Sequence, residues 1–101
     1  MTFVLTDVIY LQYFSRSFTI HHIVPNTNLP AHIQVFFKNR EVAKVKMVMN
    51  KWKLKGKLKG GAMITSNWME VVKKIDMRVG DIYVFWFRGS RDGLKLFVDH
   101  L

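Results

Sequence analysis

Lysine occupies every odd position from 51 to 59 in the segment Lys51-Trp52-Lys53-Leu54-Lys55-Gly56-Lys57-Leu58-Lys59-Gly60-Gly61. On a helix, period-2 spacing scatters such charges around the cylinder. On an extended chain it sets all five on one side, with Trp52, Leu54 and Leu58 on the other. The spacing therefore predicts an extended segment whose apolar side anchors on the body of the protein while an ammonium comb faces phosphates. Each lysine that neutralises a phosphate releases condensed counterions, the main source of sequence-independent nucleic-acid affinity. Gly56, Gly60 and Gly61 permit tight bending and close approach of backbone to backbone. An edge strand protected from aggregation usually needs one or two lysines, not five. A membrane-seeking cationic segment would be an amphipathic helix, which this spacing does not encode.

The whole chain leans the same way. Sixteen Lys and Arg face seven Asp and Glu among 101 residues, a net charge of +9. Between Glu41 and Glu70 lie seven lysines and no acid, and a second acid-free stretch runs from Asp7 to Glu41. Such clustering points to a polyanionic partner rather than to solubility alone. Other chemistries find little support. There are no cysteines, so thiol catalysis, disulfides and cysteine-ligated zinc are excluded. His21, His22, His32 and His100 are too few and too irregular for a metal site. The serines have no neighbouring acid–base pair, no local carboxylate pair is formed, and no phosphate-cradling glycine loop is present. No enzymatic activity, cofactor, metal or small-molecule substrate is expected. The N-terminus lacks a basic lead and Asp7 breaks its apolar run, so no targeting leader is expected. Residues 17–37 carry two prolines, two asparagines and three histidines, which a lipid-spanning helix would not tolerate together. A soluble protein is the expectation.

The elements that must position the lysines are mostly short strands. Phe3, Leu5 and Ile9 predict a first strand over residues 3–9, followed by a connecting arm over 10–17. Phe18-Thr19-Ile20 reads as a short strand, and residues 25–30 as a loop. Ile33, Val35 and Phe37 pair in a predicted hairpin with Ala43, Val45, Met47 and Met49, joined by Lys38-Asn39-Arg40. Trp68, Val71, Val72 and Ile75 form one helical stripe within residues 67–76, with Asn67 and Glu70 at capping-box spacing and Thr65 and Ser66 as further cap candidates. Asp81, after Gly80, reads as a turn residue bonding nearby amides. Residues 82–87 and 94–98 are strands around a turn at 88–93. Trp68 and Trp86 lie in apolar patterns and are expected in the core; Trp52, between lysines, is a candidate support for the contact surface. The pattern predicts one domain over residues 1–101, mainly β, with about seven strands in a barrel or folded-over sheet and one or two short helices.

Met63-Ile64-Thr65-Ser66-Asn67-Trp68, then Val71-Val72, then Met77-Arg78-Val79-Gly80-Asp81-Ile82-Tyr83-Val84-Phe85, and finally Leu94-Lys95-Leu96-Phe97-Val98, together resemble the plant-specific B3 DNA-binding domain. The resemblance covers nearly the whole chain. It implies a seven-stranded open β-barrel, the DNA-binding pseudobarrel, with one or two short α-helices. It also implies a transcription-factor module of the nucleus in which two arms clamp the major groove of double-stranded DNA. The arms correspond to residues 10–17 and about 50–59. In this chain His21, not proline, follows Ile20, and Pro25 comes later. The first arm lacks the acidic and lysine pattern of hormone- and seed-regulating members and is closer to the divergent reproductive-meristem group. On this reading Arg16, Lys51, Lys53, Lys55 and Lys57 contact phosphates, while Gln12, Ser15, Ser17 and Asn50 are the candidates for base edges. Tyr13, Trp52 and Lys59 complete the candidate DNA-binding set. Two alternatives are an RNA or single-strand binder, which would need exposed aromatic rings, and a protein-interaction module with incidental charge.

Overall fold

Alternation of apolar and polar residues builds the centre of the sheet. The computed structural model describes residues 2–4 and 12–101. Its elements are β1 (Thr2–Val4), β2 (Gln12–Tyr13), α1 (Arg16–Phe18), a π-turn (Thr19–Ile23), a 3₁₀ turn (Val24–Asn26), β3 (Ala31–Phe37), β4 (Arg40–Met49), β5 (Trp52–Leu54), β6 (Lys57–Lys59), β7 (Ala62–Ser66), α2 (Trp68–Ile75), β8 (Ile82–Ser90) and β9 (Gly93–His100). Seven strands form one sheet in the order β1-β8-β9-β3-β4-β7-β2, with β5 and β6 forming a separate ribbon. The β3–β9 pairing is parallel and the others are antiparallel. The protein is mainly β with two short helices, and its large sheet curls into a half-barrel.

The β3–β4 hairpin forms as its pattern predicts. Ile33, Val35, Val45 and Met47 are fully buried, and Lys44 and Lys46 are exposed on the opposite face. Lys38 and Asn39 both have positive φ, the two-residue loop whose twist matches that of its strands. The predicted helix also forms. Trp68, Val71, Val72 and Ile75 are buried, and the Trp68 indole meets the Phe85 ring edge-on at 5.8 Å. Lys74 ties this helix to β4 by donating to the Val42 carbonyl at 2.8 Å.

Several local expectations are corrected. Residues 18–20 are helical rather than a strand: Ser15 Oγ accepts from the Phe18 amide at 3.1 Å and caps α1. Phe18 then packs on His22, four residues on, with ring centroids 4.8 Å apart. The Asn67–Glu70 capping box is not made. Asn67 sits at φ 67°, its side chain donates to the Lys44 carbonyl at 3.0 Å, and Glu70 pairs with Lys74 at 3.3 Å. Thr65 bonds the Lys46 carbonyl rather than the helix. The carboxylate of Asp81 accepts from the Tyr83 hydroxyl at 3.5 Å and faces His100 at 3.2 Å, instead of turn amides. Burial pushes the Tyr83 hydroxyl pKa up, and the hydrogen bond it accepts from the Arg78 amide pulls the other way. A hydrogen bond to Asp76 raises the pKa of Arg78. The turn expected at 88–93 is only Arg91-Asp92, because both strands extend. Trp86 is not core: it is 41% exposed, on the outer face of β8. Of the expected first strand, residues 5–9 lie outside the described residues, as do Tyr10 and Leu11 of the first arm.

Candidate nucleic-acid interface

The lysine segment is extended but not straight. Lys55 and Gly56 have φ values of 51° and 78° and fold residues 52–59 into a two-residue hairpin, which breaks the one-sided comb. Residues directly opposite in a ladder share a face. Trp52 opposes Lys59 and Leu54 opposes Lys57, while Lys53 opposes Leu58. One face of the ribbon therefore carries Lys57 and Lys59 with Trp52 and Leu54, the other carries Lys53 with Leu58, and Lys55 occupies the tip. The apolar side does not anchor on the sheet. Trp52, Leu54 and Leu58 are 50%, 51% and 39% exposed, and every residue from 51 to 59 is exposed. The ribbon stands off the body with cations on both faces. The ion pairs among the described residues are Lys74–Glu70, Arg78–Asp76 and His100–Asp81, none of them on the hairpin.

A tight neck joins the ribbon to the sheet. The Asn50 amide donates to the Gly61 carbonyl at 2.9 Å. A Cβ on Gly60, at φ 92°, would run into the Asn50 carbonyl, and one on Gly61 would run into the Phe14 and Ser15 carbonyls and Thr19 Oγ1. The neck of the second arm is thus packed directly on the first. Phe14 donates its amide to the Ala62 carbonyl at 2.9 Å. Thr19, fully buried, is the residue that the sequence reading missed. Its hydroxyl donates to the Ser15 carbonyl at 2.7 Å and accepts from the Ala62 amide at 2.8 Å, closing the joint between the arms.

The first-arm candidates divide. Gln12 lies in β2, opposite Ile64, and Tyr13 is 54% exposed beside it. Ser15 is exposed, but its hydroxyl caps α1, so it serves the fold as well as any contact. Arg16 is half-buried and Ser17 exposed on α1. The imidazole Nδ1 of His21 bonds the Ser17 carbonyl at 2.7 Å, four residues back along the same helical segment. Asn50, half-buried, stands at the neck between the two groups. Among the described residues, no group of His, Asp and Glu is arranged to hold a metal ion, and no helix is long and apolar enough to cross a membrane.

The neck makes a prediction of its own. Gly61→Ala must displace backbone carbonyls and should destabilise the protein by about 1–3 kcal/mol, with loss of amide protection at Ala62. Gly56→Asn, at a tip with open space around it and a φ of 78° that Asn tolerates better than other side chains, should cost less, at most about 1 kcal/mol. Chemical denaturation and hydrogen exchange of the two variants check this. Equal stability of Gly61→Ala and the parent would show that the neck is not packed as described.

No protein-family model matches this chain, and no curated protein matches it, so its function is argued from the residues themselves.

Proposed function

We propose that this chain is a double-stranded-DNA-binding module of a nuclear transcription factor, of the B3 type and built on an open pseudobarrel. The observation that carries the proposal is the exposed ribbon of residues 51–59, which stands beside the polar first arm and whose five lysines join none of the ion pairs among the described residues. A two-stranded ribbon fits the major groove, and cations on both its faces suit a groove walled by phosphates on both sides. This split arrangement serves a duplex better than the one-sided comb expected from spacing alone.

The two arms divide the work. Lysines are flexible point charges, so Lys51, Lys53, Lys55, Lys57 and Lys59, with Arg16, hold the phosphates and fix position. Gln12, Ser17 and Asn50 offer directional groups for base edges, with Tyr13 and Trp52 completing the surface. Ser15 helps to place them by capping α1.

The test first selects bound duplexes from a random pool, then titrates one selected and one scrambled duplex. Lys53→Ala/Lys55→Ala should weaken both about equally and flatten the log–log salt slope by roughly 2. Gln12→Ala/Ser17→Ala, which spares the Ser15 cap, should narrow the gap between the duplexes at nearly unchanged slope. If the lysine variant loses discrimination while the first-arm variant keeps it, the roles are reversed. Indifference of the parent protein to all duplexes at low salt would overturn the proposal.

A further inference from the structure

A column of aromatic rings stands on the outer face of the sheet, away from the lysine ribbon. Register places Trp86 opposite Phe97, and Phe97 beside Phe36, so the three side chains share one face across β8, β9 and β3. The Trp86 and Phe97 rings are 6.2 Å apart and 10° from parallel; those of Phe97 and Phe36 are 5.2 Å apart and 19° from parallel. Cations lie over the inner members: Arg88 is 5.9 Å from the Phe97 centroid, and Lys95 is 5.6 Å from that of Phe36. The column thus ends in a tryptophan that is 41% exposed. A large exposed aromatic at the end of a stack leaves π-surface in water that another flat ring would cover.

Trp86 is also one wall of a groove of about 510 Å³ between β8 and the helical residues 16–26. Phe18 and Phe87 line it with Trp86, and His21, His22 and Asn26 supply polar groups. Asn26 is held in place: its Nδ2 donates to the His22 carbonyl at 3.2 Å, and its Oδ1 lies close over Gly89, where a side chain would collide. Among the described residues, none of those that line this groove is acidic. Arg88, two residues along β8 from Trp86, points to the same outer face.

We infer that this groove seats an unpaired nucleobase of single-stranded nucleic acid, stacked on Trp86, with its edge toward Asn26 and the histidines and its phosphate toward Arg88. Base–aromatic stacking beside cations is the general mode of single-strand binding. A base inside a duplex has both faces covered by its neighbours, so only an unpaired one can extend the column. A second copy of this chain is disfavoured by its own charge of +9. An acidic peptide would satisfy Arg88 but leaves the Trp86 ring without a flat partner. The site is separate from the lysine ribbon and stands whether or not the ribbon grips duplex DNA.

The experiment uses labelled oligothymidylate, oligouridylate and a duplex in parallel anisotropy titrations. Trp86→Ala, checked for folding by circular dichroism, should lose about 5- to 150-fold affinity for the single strands and keep its duplex affinity. Trp86→Phe, which retains a ring, should lose less than about 5-fold. In a Trp52→Phe background the emitting indoles are buried Trp68 and exposed Trp86, and single strands should quench the latter. Unchanged single-strand affinity in a folded Trp86→Ala protein would overturn the inference. So would absence of quenching, equal losses for duplex and single strands, or Trp86-dependent binding of polyglutamate. If Trp86→Ala fails to fold, Trp86→Phe and the quenching experiment decide.

Discussion

Neutralising the ribbon, by replacing Lys51, Lys53, Lys55, Lys57 and Lys59 together with Gln, is expected to abolish most of the salt dependence of duplex binding. Five phosphate contacts correspond to a log–log slope of about −4.5. These five contacts alone should therefore lower the parent's affinity roughly 500-fold when monovalent salt rises from about 50 to 200 mM, while the variant, left with Arg16, should lose only about 3- to 4-fold. All five side chains are exposed, and the ion pairs among the described residues do not include them. Glutamine, one atom shorter than lysine, removes the charge and keeps most of the aliphatic stem along the ribbon. The midpoint of thermal unfolding should then move little, because exposed substitutions away from packed features usually cost under about 0.5 kcal/mol each. Affinity measured at several salt concentrations, with a melting curve for each protein, separates the two effects. A parent slope near zero in a folded protein would remove the polyanion reading. A variant that keeps the parent's slope would move the phosphate contacts to other cations, of which Lys44, Lys46 and Arg88 are exposed on the sheet.

The other large effect is on stability. Trp68 is fully buried, seated edge-on against Phe85 and flanked along its helix by Val71 and Val72. Trp68→Ala should cost about 3–5 kcal/mol, the transfer free energy of the lost ring plus the cavity it leaves. For a domain of this size that lowers Tm by at least about 12 °C, against a total stability on the order of 5–15 kcal/mol. The indole Nε1–H is buried without a hydrogen-bond partner among the described residues. Trp68→Phe removes that unpaired donor along with part of the volume, so it should cost distinctly less than Ala, about 1–2 kcal/mol. Calorimetry of the three proteins tests the ranking. A Trp68→Ala protein with the parent's Tm would show that α2 does not close the core. Loss of DNA binding by Trp68→Ala should track unfolding, so at a temperature where the variant is still folded its affinity should match the parent's.

By itself the sequence determined what depends on local pattern. Ile33, Val35, Val45 and Met47 alternate, and so they lie on one buried face of two paired strands. Trp68, Val71, Val72 and Ile75 recur at helical spacing, and so they form one buried stripe. The charge of residues 51–59 was equally legible, because it needs no neighbour to be counted. Tertiary structure decided the rest. Alternation says that Lys51 to Lys59 share a side only if the chain runs straight. The turn at Lys55-Gly56 folds the segment on itself, and pairing Lys53 with Leu58 moves that lysine to the other face. Whether Trp52 and Leu54 were covered depended on what lay beneath them, and among the described residues both stay about half exposed on a ribbon that leaves the sheet at the Gly60-Gly61 neck. Trp86 shows the same limit. The apolar run over 82–87 led to Trp86 being expected in the core, yet the half-barrel has one inside, so Tyr83 and Phe85 take it and Trp86 faces out. Thr19 had no sequence signal, since its two bonds reach Ser15 and, 43 residues away, Ala62. Local pattern sets which residues share a face. Only the closing of the sheet and the joint between distant segments decide which face meets water, and therefore which side chains are free to meet a ligand.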